Sequence, residues 1–225
     1  MTFSITARCP ETGMFGVAVT SSSMAVTARC AFARAGVGAV ASQNITDPRL
    51  GPRGLDLMAG GKTAAEALDV MLGEHAHRDY RQLVLVDGAG GVAHHSGRHT
   101  LGTHGVAAGE AAVAAGNLLA GPRVPAAMIE AFQESAGAPF PRRLLGALEG
   151  GLGAGGEAGP VRSAGLLVAH REAWPLVDLR VDWSEEDPIA ALTAIWQDWA
   201  PQMDDYVTRA LGPTAAPSYG VPGDE

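Results

Sequence analysis

The residue with the clearest chemical potential is Thr2, the second residue of the chain. Methionine is normally removed when the second residue is small, which would leave Thr2 with a free α-amine beside its own hydroxyl. An α-amine has a pKa of roughly 7.7–8.0, so part of it is neutral at cellular pH and can accept the hydroxyl proton. A threonine activated by its own amine is an established type of nucleophile. Thr2 is therefore the predicted catalytic residue; the competing interpretation is a threonine without a chemical role.

Other polar residues are candidates for supporting or substrate-binding roles. Gln43 and Asn44 leave a predicted strand and could orient the amide of a substrate. Gly116 and Asn117 could offer a backbone N–H and a side-chain donor to an oxyanion, which would stabilise a tetrahedral intermediate. Three serines follow the second strand, and one arginine could bind a carboxylate bidentately: Ser21, Ser22, Ser23 and Arg53. The structural alternatives are a solvated loop for the serines, a turn for Gly116-Asn117 and a surface position for Arg53.

Four histidines lie close together in the sequence but do not predict a metal site. His94 and His95 are adjacent on a predicted strand, so their side chains point to opposite faces. No cysteine or carboxylate stands at ligand spacing from these two, from His99 or from His104. The glycine-rich segment 150–159 lacks the Lys-Ser/Thr ending of a phosphate-binding loop, and we interpret it as a flexible loop. We expect neither a metal nor a cofactor.

The chain start predicts a β-hairpin that would hold Thr2 in place. Apolar and polar residues alternate from Thr2 to Arg8, which is typical of a half-buried strand. A turn composition at 9–13 and an apolar run from Phe15 to Val19 complete the hairpin. We expect the Thr2 strand to be central in its sheet.

The remaining elements occur in blocks of strands and blocks of helices. Such blocks favour a layered α+β fold with mostly antiparallel sheets and helices outside. The predicted strands are 36–43, 82–87, 92–95, one or two within 106–115, 164–169 and 176–181. The predicted helices are 51–61, one capped by Thr63 and Glu66 that ends near Gly73, 124–134, 141–152 and one that starts at Asp187-Pro188.

Composition limits the classes of function. The 225 residues are 47% hydrophobic, which is enough for one core, and we expect a single domain over 1–212 with a flexible tail over 213–225. The net charge of -8 argues against a nucleic-acid partner. No apolar run has the length of a membrane span, and the N-terminus does not resemble a signal peptide. With only Cys9 and Cys30, a reducing, cytoplasmic location is expected.

Several segments, in order along nearly the whole chain, resemble the domain of unknown function 1028 (DUF1028) family. They are 2–8, 10–13, 16–19, 35–41, 51–55, 81–83, 116–121 and 178–182. The resemblance implies a fold of the N-terminal-nucleophile (Ntn) hydrolase type, a four-layer αββα sandwich. The chain departs from the family's usual pattern at Cys9, at Thr20-Ser21-Ser22-Ser23 and at Ala115, where a glutamine is frequent.

These observations leave two main functional hypotheses. The first is a hydrolase of an amide-type C–N bond in a small polar substrate, with Thr2 exposed by removal of Met1. The second is a non-catalytic protein of the same fold that binds a small molecule or a partner; a retained Met1 would favour it. A hydrolase that acts through Ser22 or Ser23 is a third possibility. Trp196 and Trp199 on the last predicted helix suggest a homo-oligomer, with no membrane partner.

Overall fold

The computed structural model describes residues 1–224 and consists of strands and helices in alternating blocks. The strands are β1 (Thr2–Arg8), β2 (Phe15–Ser21), β3 (Ala31–Arg34), β4 (Gly38–Asn44), β5 (Arg81–Asp87), β6 (Val92–Ser96), β7 (Gly105–Gly109), β8 (Ala112–Asn117), β9 (Ser163–Ala169) and β10 (Val177–Val181). The helices are α1 (Thr27–Cys30), α2 (Leu50–Ala59), α3 (Ala64–Glu74), α4 (Val124–Glu134), α5 (Phe140–Gly153), α6 (Pro188–Trp199) and α7 (Met203–Leu211).

The strands form two sheets that pack face to face. One sheet has the order β10-β9-β2-β1-β8-β7 and the other has the order β3-β4-β5-β6. Every strand pairing within them is antiparallel. Helices α4, α5 and α6 cover the outer face of the larger sheet, and α2 and α3 cover that of the smaller one. The predicted four-layer αββα arrangement with antiparallel sheets is confirmed.

Strand β1 lies inside the larger sheet, as its alternating sequence predicts. It pairs with β2 on one side and with β8 on the other, so its backbone has partners along both edges. Phe3 and Ile5 are fully buried in the core formed with α4, α5 and α6. Val17 and Val19 of the neighbouring strand pack into a separate core between the two sheets. This central position fixes the start of the chain firmly.

Local signals placed several elements well. Thr63 caps α3, and its hydroxyl and the Glu66 carboxylate form the predicted capping box. Asp187 caps α6, and Pro188 occupies its first turn.

Other expectations about the elements were wrong. The third strand was predicted from residue 36 but begins at Gly38, and it pairs with β3, which the sequence analysis missed together with α1. The predicted flexible loop 150–159 is helical up to Gly153, because Gly150 and Gly151 let α5 approach α4 closely. A methyl group on either glycine would lie within 3 Å of an α4 side chain.

The last predicted helix is followed by a further helix and by a packed C-terminal segment. Trp199 of α6 stacks on Tyr206 of α7, with 4.9 Å between ring centroids. The Arg209 guanidinium lies 4.0 Å from the ring centroid of Tyr219. The division into a domain of 1–212 and a flexible tail of 213–225 stays a prediction, and Glu225 lies outside the described residues. Within 1–224, no helix has the length and apolar character required to cross a membrane.

Gly165 in β9 allows α1 to pack against the larger sheet. A Cβ atom at this position would lie 1.8 Å from the Thr27 hydroxyl oxygen. We therefore expect Gly165→Ala to lower the free energy of unfolding by about 1–3 kcal/mol, the usual cost of overpacking. Gly73→Ala is the control, because its added methyl would have no atom within 4 Å apart from its chain neighbours and the backbone of its own helix. Alanine within a helix should stabilise the protein by up to about 1 kcal/mol. Urea unfolding of both variants measures the difference, and equal stabilities would contradict this account of Gly165.

Candidate active site

Thr2 occupies the first position of β1 and is directed into the space between the two sheets. Side chains alternate along a strand, so Thr2 shares a face with Ser4. The Ser4 hydroxyl donates to Gln43 of the opposite sheet, which shows where this face points. Thr2 is only 5% exposed, and Asn117 of β8 lies directly opposite it across the strands. The predicted nucleophile is therefore held at the end of the interface between the sheets.

Ser21, the last residue of β2, and the two serines after it border Thr2 on a second side. The Ser21 hydroxyl oxygen lies 3.3 Å from the Thr2 hydroxyl oxygen and 2.7 Å from that of Ser23. The Ser23 hydroxyl also accepts a hydrogen bond of 2.6 Å from Arg29, which fixes this turn at the surface. Ser22 contributes its backbone N–H, which points to the carboxylate of Glu157. The structure thus brings Ser21 next to Thr2, with Ser22 and Ser23 as its supports.

Met1 covers Thr2 in this structure. Its carbonyl oxygen accepts hydrogen bonds from the hydroxyls of both Thr2 and Ser21. Its side chain lies beside Gly159, where an added Cβ atom would be 3.6 Å from the methionine methyl. Met1 is 37% exposed, so it stands between the buried Thr2 and the solvent.

A buried chain of amides connects this site to the second sheet. Gln43 accepts from Ser4 at 2.7 Å and donates to the Gln82 side-chain oxygen at 2.8 Å. The Asn117 amide nitrogen donates to the same Gln82 oxygen at 3.1 Å, and Gln82 donates to the carbonyl of Gly116 at 3.0 Å. Gln43 and Gln82 are fully buried. Because buried amides are stable only when their hydrogen bonds are satisfied, this chain orients Asn117 beside Thr2.

Gly116 and Asn117 belong to β8 and not to a turn before a helix. The Gly116 carbonyl accepts the hydrogen bond from Gln82, and its Cα packs tightly against Phe3 and Leu119. The Asn117 amide nitrogen is engaged by Gln82, whereas its side-chain oxygen is buried and has no hydrogen-bond partner among residues 1–224. The free group of Asn117 beside Thr2 is therefore an acceptor.

Two predicted site residues lie elsewhere. Asn44 ends β4 in a left-handed conformation with φ of 71°, and its amide binds the backbone of Tyr80 and Leu101. It holds two loops together. Arg53 is on α2, in the outer layer of the other sheet, where it pairs with Glu74 at 2.9 Å. Neither side chain forms a hydrogen bond to Thr2, Ser21 or Asn117 in the described part of the chain.

Sequence reasoning missed Gln82 and Glu157, which both belong to the neighbourhood of Thr2. Gln82 begins a predicted strand of mostly apolar residues, and one polar side chain there does not indicate a site residue. Glu157 lies in the glycine-rich segment that was interpreted as a flexible loop. It is only 5% exposed, and burial raises the pKa of its carboxyl to about 7. A lone carboxylate among glycines gives no pattern that predicts burial.

The histidines form no metal-binding cluster within residues 1–224. No group of three or more His, Cys, Asp or Glu side chains there has the geometry to hold a metal ion. His95 binds the carbonyl of Arg78, and His104 that of Gly102. Outside the Thr2 site, Asp47 forms a polar cluster with Arg49 and His75. Hydrogen bonds from Arg49 and His75 hold the pKa of the Asp47 carboxyl well below its ordinary value. Asp47 forms a salt bridge of 2.7 Å with Arg49.

The model of a family described as "Family of unknown function (DUF1028)" matches residues 2–192. The chain belongs to the DUF1028 family. The predicted membership is therefore confirmed. The crystal structure of protein SPO2555 from Silicibacter pomeroyi, assigned to the same family, is 33% identical to this DUF1028 protein. The match covers 88% of this chain and 89% of that one, with a TM-score of 0.82.

A second structure is more distant from this DUF1028 protein. Anbu (ancestral beta-subunit) from Yersinia bercovieri is 9% identical over 91% of this chain and 97% of that chain. Its TM-score of 0.40 lies below the level at which a shared fold is inferred. A search of curated proteins gave no significant match.

Proposed function

We propose that this protein hydrolyses an amide-type C–N bond in a small polar substrate, with Thr2 as an Ntn-type nucleophile after removal of Met1. The observation that carries the proposal is the contact of the Thr2 hydroxyl with Ser21 and with the carbonyl of Met1. The two hydroxyls thus converge on one carbonyl oxygen, and we expect them to bind a substrate carbonyl in a similar way once Met1 is gone. Thr2 is in turn fixed by a central strand, which a reactive group needs for precise orientation.

The reaction would run in two steps. The free α-amine of Thr2 takes the proton of the hydroxyl, and the oxygen attacks the substrate carbonyl carbon to form a tetrahedral oxyanion. The C–N bond then breaks, the leaving amine takes the proton from the α-ammonium, and an ester joins the acyl group to Thr2. Water attacks this ester, again with the α-amine as base, and releases the carboxylic acid and free Thr2.

Ser21 and Asn117 would bind the two sides of the scissile amide. The Ser21 hydroxyl donates to a carbonyl oxygen in this structure, so it can donate to a substrate carbonyl and to the oxyanion. The unpaired side-chain oxygen of Asn117 can accept an N–H group of the substrate. Because both groups are fully or almost fully buried, these hydrogen bonds would form in a site with little water.

Two measurements on the native protein test this proposal. The intact mass would show whether Met1 is removed. A small β-lactone would then acylate the Thr2 oxygen, because ring opening transfers the acyl group to an activated hydroxyl and leaves a stable mass increase. Peptide mapping that places the acyl group on Thr2 supports the proposal. Retained Met1 together with an unmodified Thr2 would reject it.

The alternative is a protein that binds a small molecule without catalysis. One observation favours it: Met1 leaves the hydroxyls of Thr2 and Ser21 with satisfied hydrogen bonds, so the unprocessed start of the chain is structurally complete. In that case the amide chain of Gln43, Gln82 and Asn117 would support a binding cleft only. The same mass measurement separates the two hypotheses, since a blocked amine cannot act as base.

The proposed setting is the cytoplasm, with a small-molecule substrate and no nucleic acid or cofactor. The unpaired thiols of Cys9 and Cys30 are compatible with a reducing compartment. A homo-oligomer stays a prediction, and its original basis is weaker because Trp196 is buried in the core of the protomer. Light scattering at micromolar concentration is expected to give a mass of at least twice 23.0 kDa, and a monomer would contradict the prediction.

A further inference from the structure

Glu157 connects the two segments that flank Thr2. Both carboxylate oxygens accept the backbone N–H of Ser22, at 3.1 and 3.2 Å, next to the Ser21 that contacts Thr2. The backbone of Glu157 forms a β-bridge with Leu119, two residues after Asn117. The Glu157 carboxyl is therefore fixed on the third side of the Thr2 site, in addition to the sides formed by Ser21 and Asn117.

No cationic side chain within residues 1–224 forms an ion pair with this buried carboxyl. Arg162 lines the same small cavity of about 340 Å³, but it is paired with Glu185 at 2.8 Å. The other charged residues of that cavity are acidic: Glu185, Glu186 and Asp187. A buried carboxylate without a cationic partner is unfavourable, so a nearby positive group would stabilise the ionised form of Glu157.

The start of the chain supplies that positive group. Burial raises the pKa of the Glu157 carboxyl to about 7. The positive charge of the terminal ammonium and the hydrogen bond from the Ser22 N–H both act in the opposite direction and lower this pKa. The Met1 side chain lies against Gly159, two residues after Glu157. Removal of Met1 would place the amine on Thr2 and clear the space beside Gly159.

We propose that Glu157 is the positioning residue of the Thr2 site: in the processed chain its carboxylate orients the Thr2 α-amine and stabilises the ammonium that forms when the amine accepts the hydroxyl proton. This inference rests on the proposed function and extends it. Thr2 would combine nucleophile and base, and Glu157 would be the third group that orients the base. The carboxylate would act through the amine and would not touch the substrate.

This arrangement has a defined electrostatic consequence. Above pH 7 the carboxyl is ionised, and a carboxylate beside an amine favours the ammonium form. The Thr2 amine of the wild type should therefore titrate at higher pH than that of a variant without the carboxylate. The side chains of Ser21 and Asn117 around Thr2 are uncharged, and Arg29 is half-buried beyond Ser23, to which it donates a hydrogen bond. Cys30 also lies within the electrostatic reach of the chain terminus, but burial raises the pKa of its thiol and keeps it neutral, so Glu157 is the negative charge that acts on the amine.

Acetylation of the amine measures this effect directly, since the chain has Lys62 as its single lysine and internal reference. The chain is prepared with Thr2 first, by proteolytic removal of an N-terminal fusion partner. It is treated with a limiting amount of acetic anhydride between pH 6 and 10. Mass spectrometry of the peptides gives the Thr2-to-Lys62 labelling ratio for wild type and Glu157→Gln. We expect the midpoint for Thr2 to fall in the variant, with at least about threefold more labelling at pH 7.

Glu185→Gln is the matched control, because its carboxylate is 73% exposed and pairs with Arg162 in the same region. It should give the wild-type midpoint. Equal midpoints in wild type and Glu157→Gln would overturn the proposal. If Glu157→Gln fails to fold, the wild type alone decides: a midpoint above roughly 8 supports the proposal, and one within or below the usual 7.7–8.0 range overturns it.

The same samples separate this inference from the proposed function. Treatment with a β-lactone reports whether the Thr2 hydroxyl is a nucleophile. A wild type that shows the displaced amine midpoint but no acylation of Thr2 would reject the hydrolase and leave the charge pairing intact. Acylation of Thr2 with equal amine midpoints would reject the role of Glu157 and leave the hydrolase intact.

Discussion

Thr2→Ala is expected to abolish acyl transfer from a β-lactone, with a loss of about 10³-fold or more. The substitution removes the attacking oxygen, and the loss of a nucleophile typically costs at least this factor. Folding should be almost unaffected, because the hydroxyl contributes only hydrogen bonds to Met1 and Ser21, at a net value of about 1 kcal/mol. The rate of acylation, followed by intact mass, and thermal unfolding together measure the two effects.

Thr2→Ser is the control for this experiment. Serine keeps the hydroxyl and the adjacent amine and loses only a methyl group, so a substantial part of the activity should remain. If Thr2→Ala reacts at the wild-type rate, Thr2 is not the nucleophile, and Ser21, Ser22 or Ser23 must be tested instead. If Thr2→Ser is as inactive as Thr2→Ala, the methyl group has a role in orienting the hydroxyl that the proposal does not include.

A chain extended by Gly-Ser ahead of Thr2 is expected to be nearly as inactive as Thr2→Ala. The extension turns the α-amine into an amide nitrogen, which cannot accept a proton from the hydroxyl. The carbonyl of the added serine, directly before Thr2, would also occupy the place of the Met1 carbonyl, between the hydroxyls of Thr2 and Ser21. We expect a loss of at least about 10²-fold in acylation, the usual contribution of a general base.

An extension that a specific protease can remove provides the control. Cleavage that leaves Thr2 first should restore the full rate in the same sample, because the folded protein is unchanged elsewhere. An extended chain that is as active as the processed one would show that the amine is not the base. A processed chain should also lose activity as the pH falls through the pKa of the Thr2 amine, which the proposed pairing with Glu157 places above about 8, since the base becomes protonated.

The fold was largely predictable because its strongest signals are local. The alternation from Thr2 to Arg8 correctly predicted a strand, but the prediction that it is half-buried was wrong, because the polar face with Ser4 and Thr6 is buried against the second sheet. Thr63 and Glu66 mark a helix start by their spacing alone. By contrast, β3 has only four residues and is a strand because it pairs with β4, so its own sequence does not predict it. The helical Gly150 depends on contact with α4, which is a tertiary effect.

The site was predictable only for residues that the pairing of neighbouring strands brings together. Thr2, Ser21 and Asn117 lie at the ends of three adjacent strands, and the hairpin made the first of these contacts foreseeable. The contributions of Gln82 and Glu157 come from the second sheet and from a loop after α5. Both are long-range contacts, and a single sequence does not show which distant polar side chain faces which strand. Arg53 and Asn44 lie away from Thr2 for the same reason, since the type of a residue does not show where in the fold its side chain lies.

The central position of β1 has a consequence for the synthesis of the protein. One edge of β1 stays unpaired until β8 is synthesised, about a hundred residues later. Glu157 is synthesised later still. At roughly 5–20 residues per second, the start of the chain stays accessible for on the order of ten seconds. A methionine aminopeptidase can act in that interval, whereas the folded protein buries Thr2 and holds Met1 against Gly159. If Met1 is removed as proposed, its removal competes with closure of the sheet, and the order of these two events decides whether a given molecule carries a free amine.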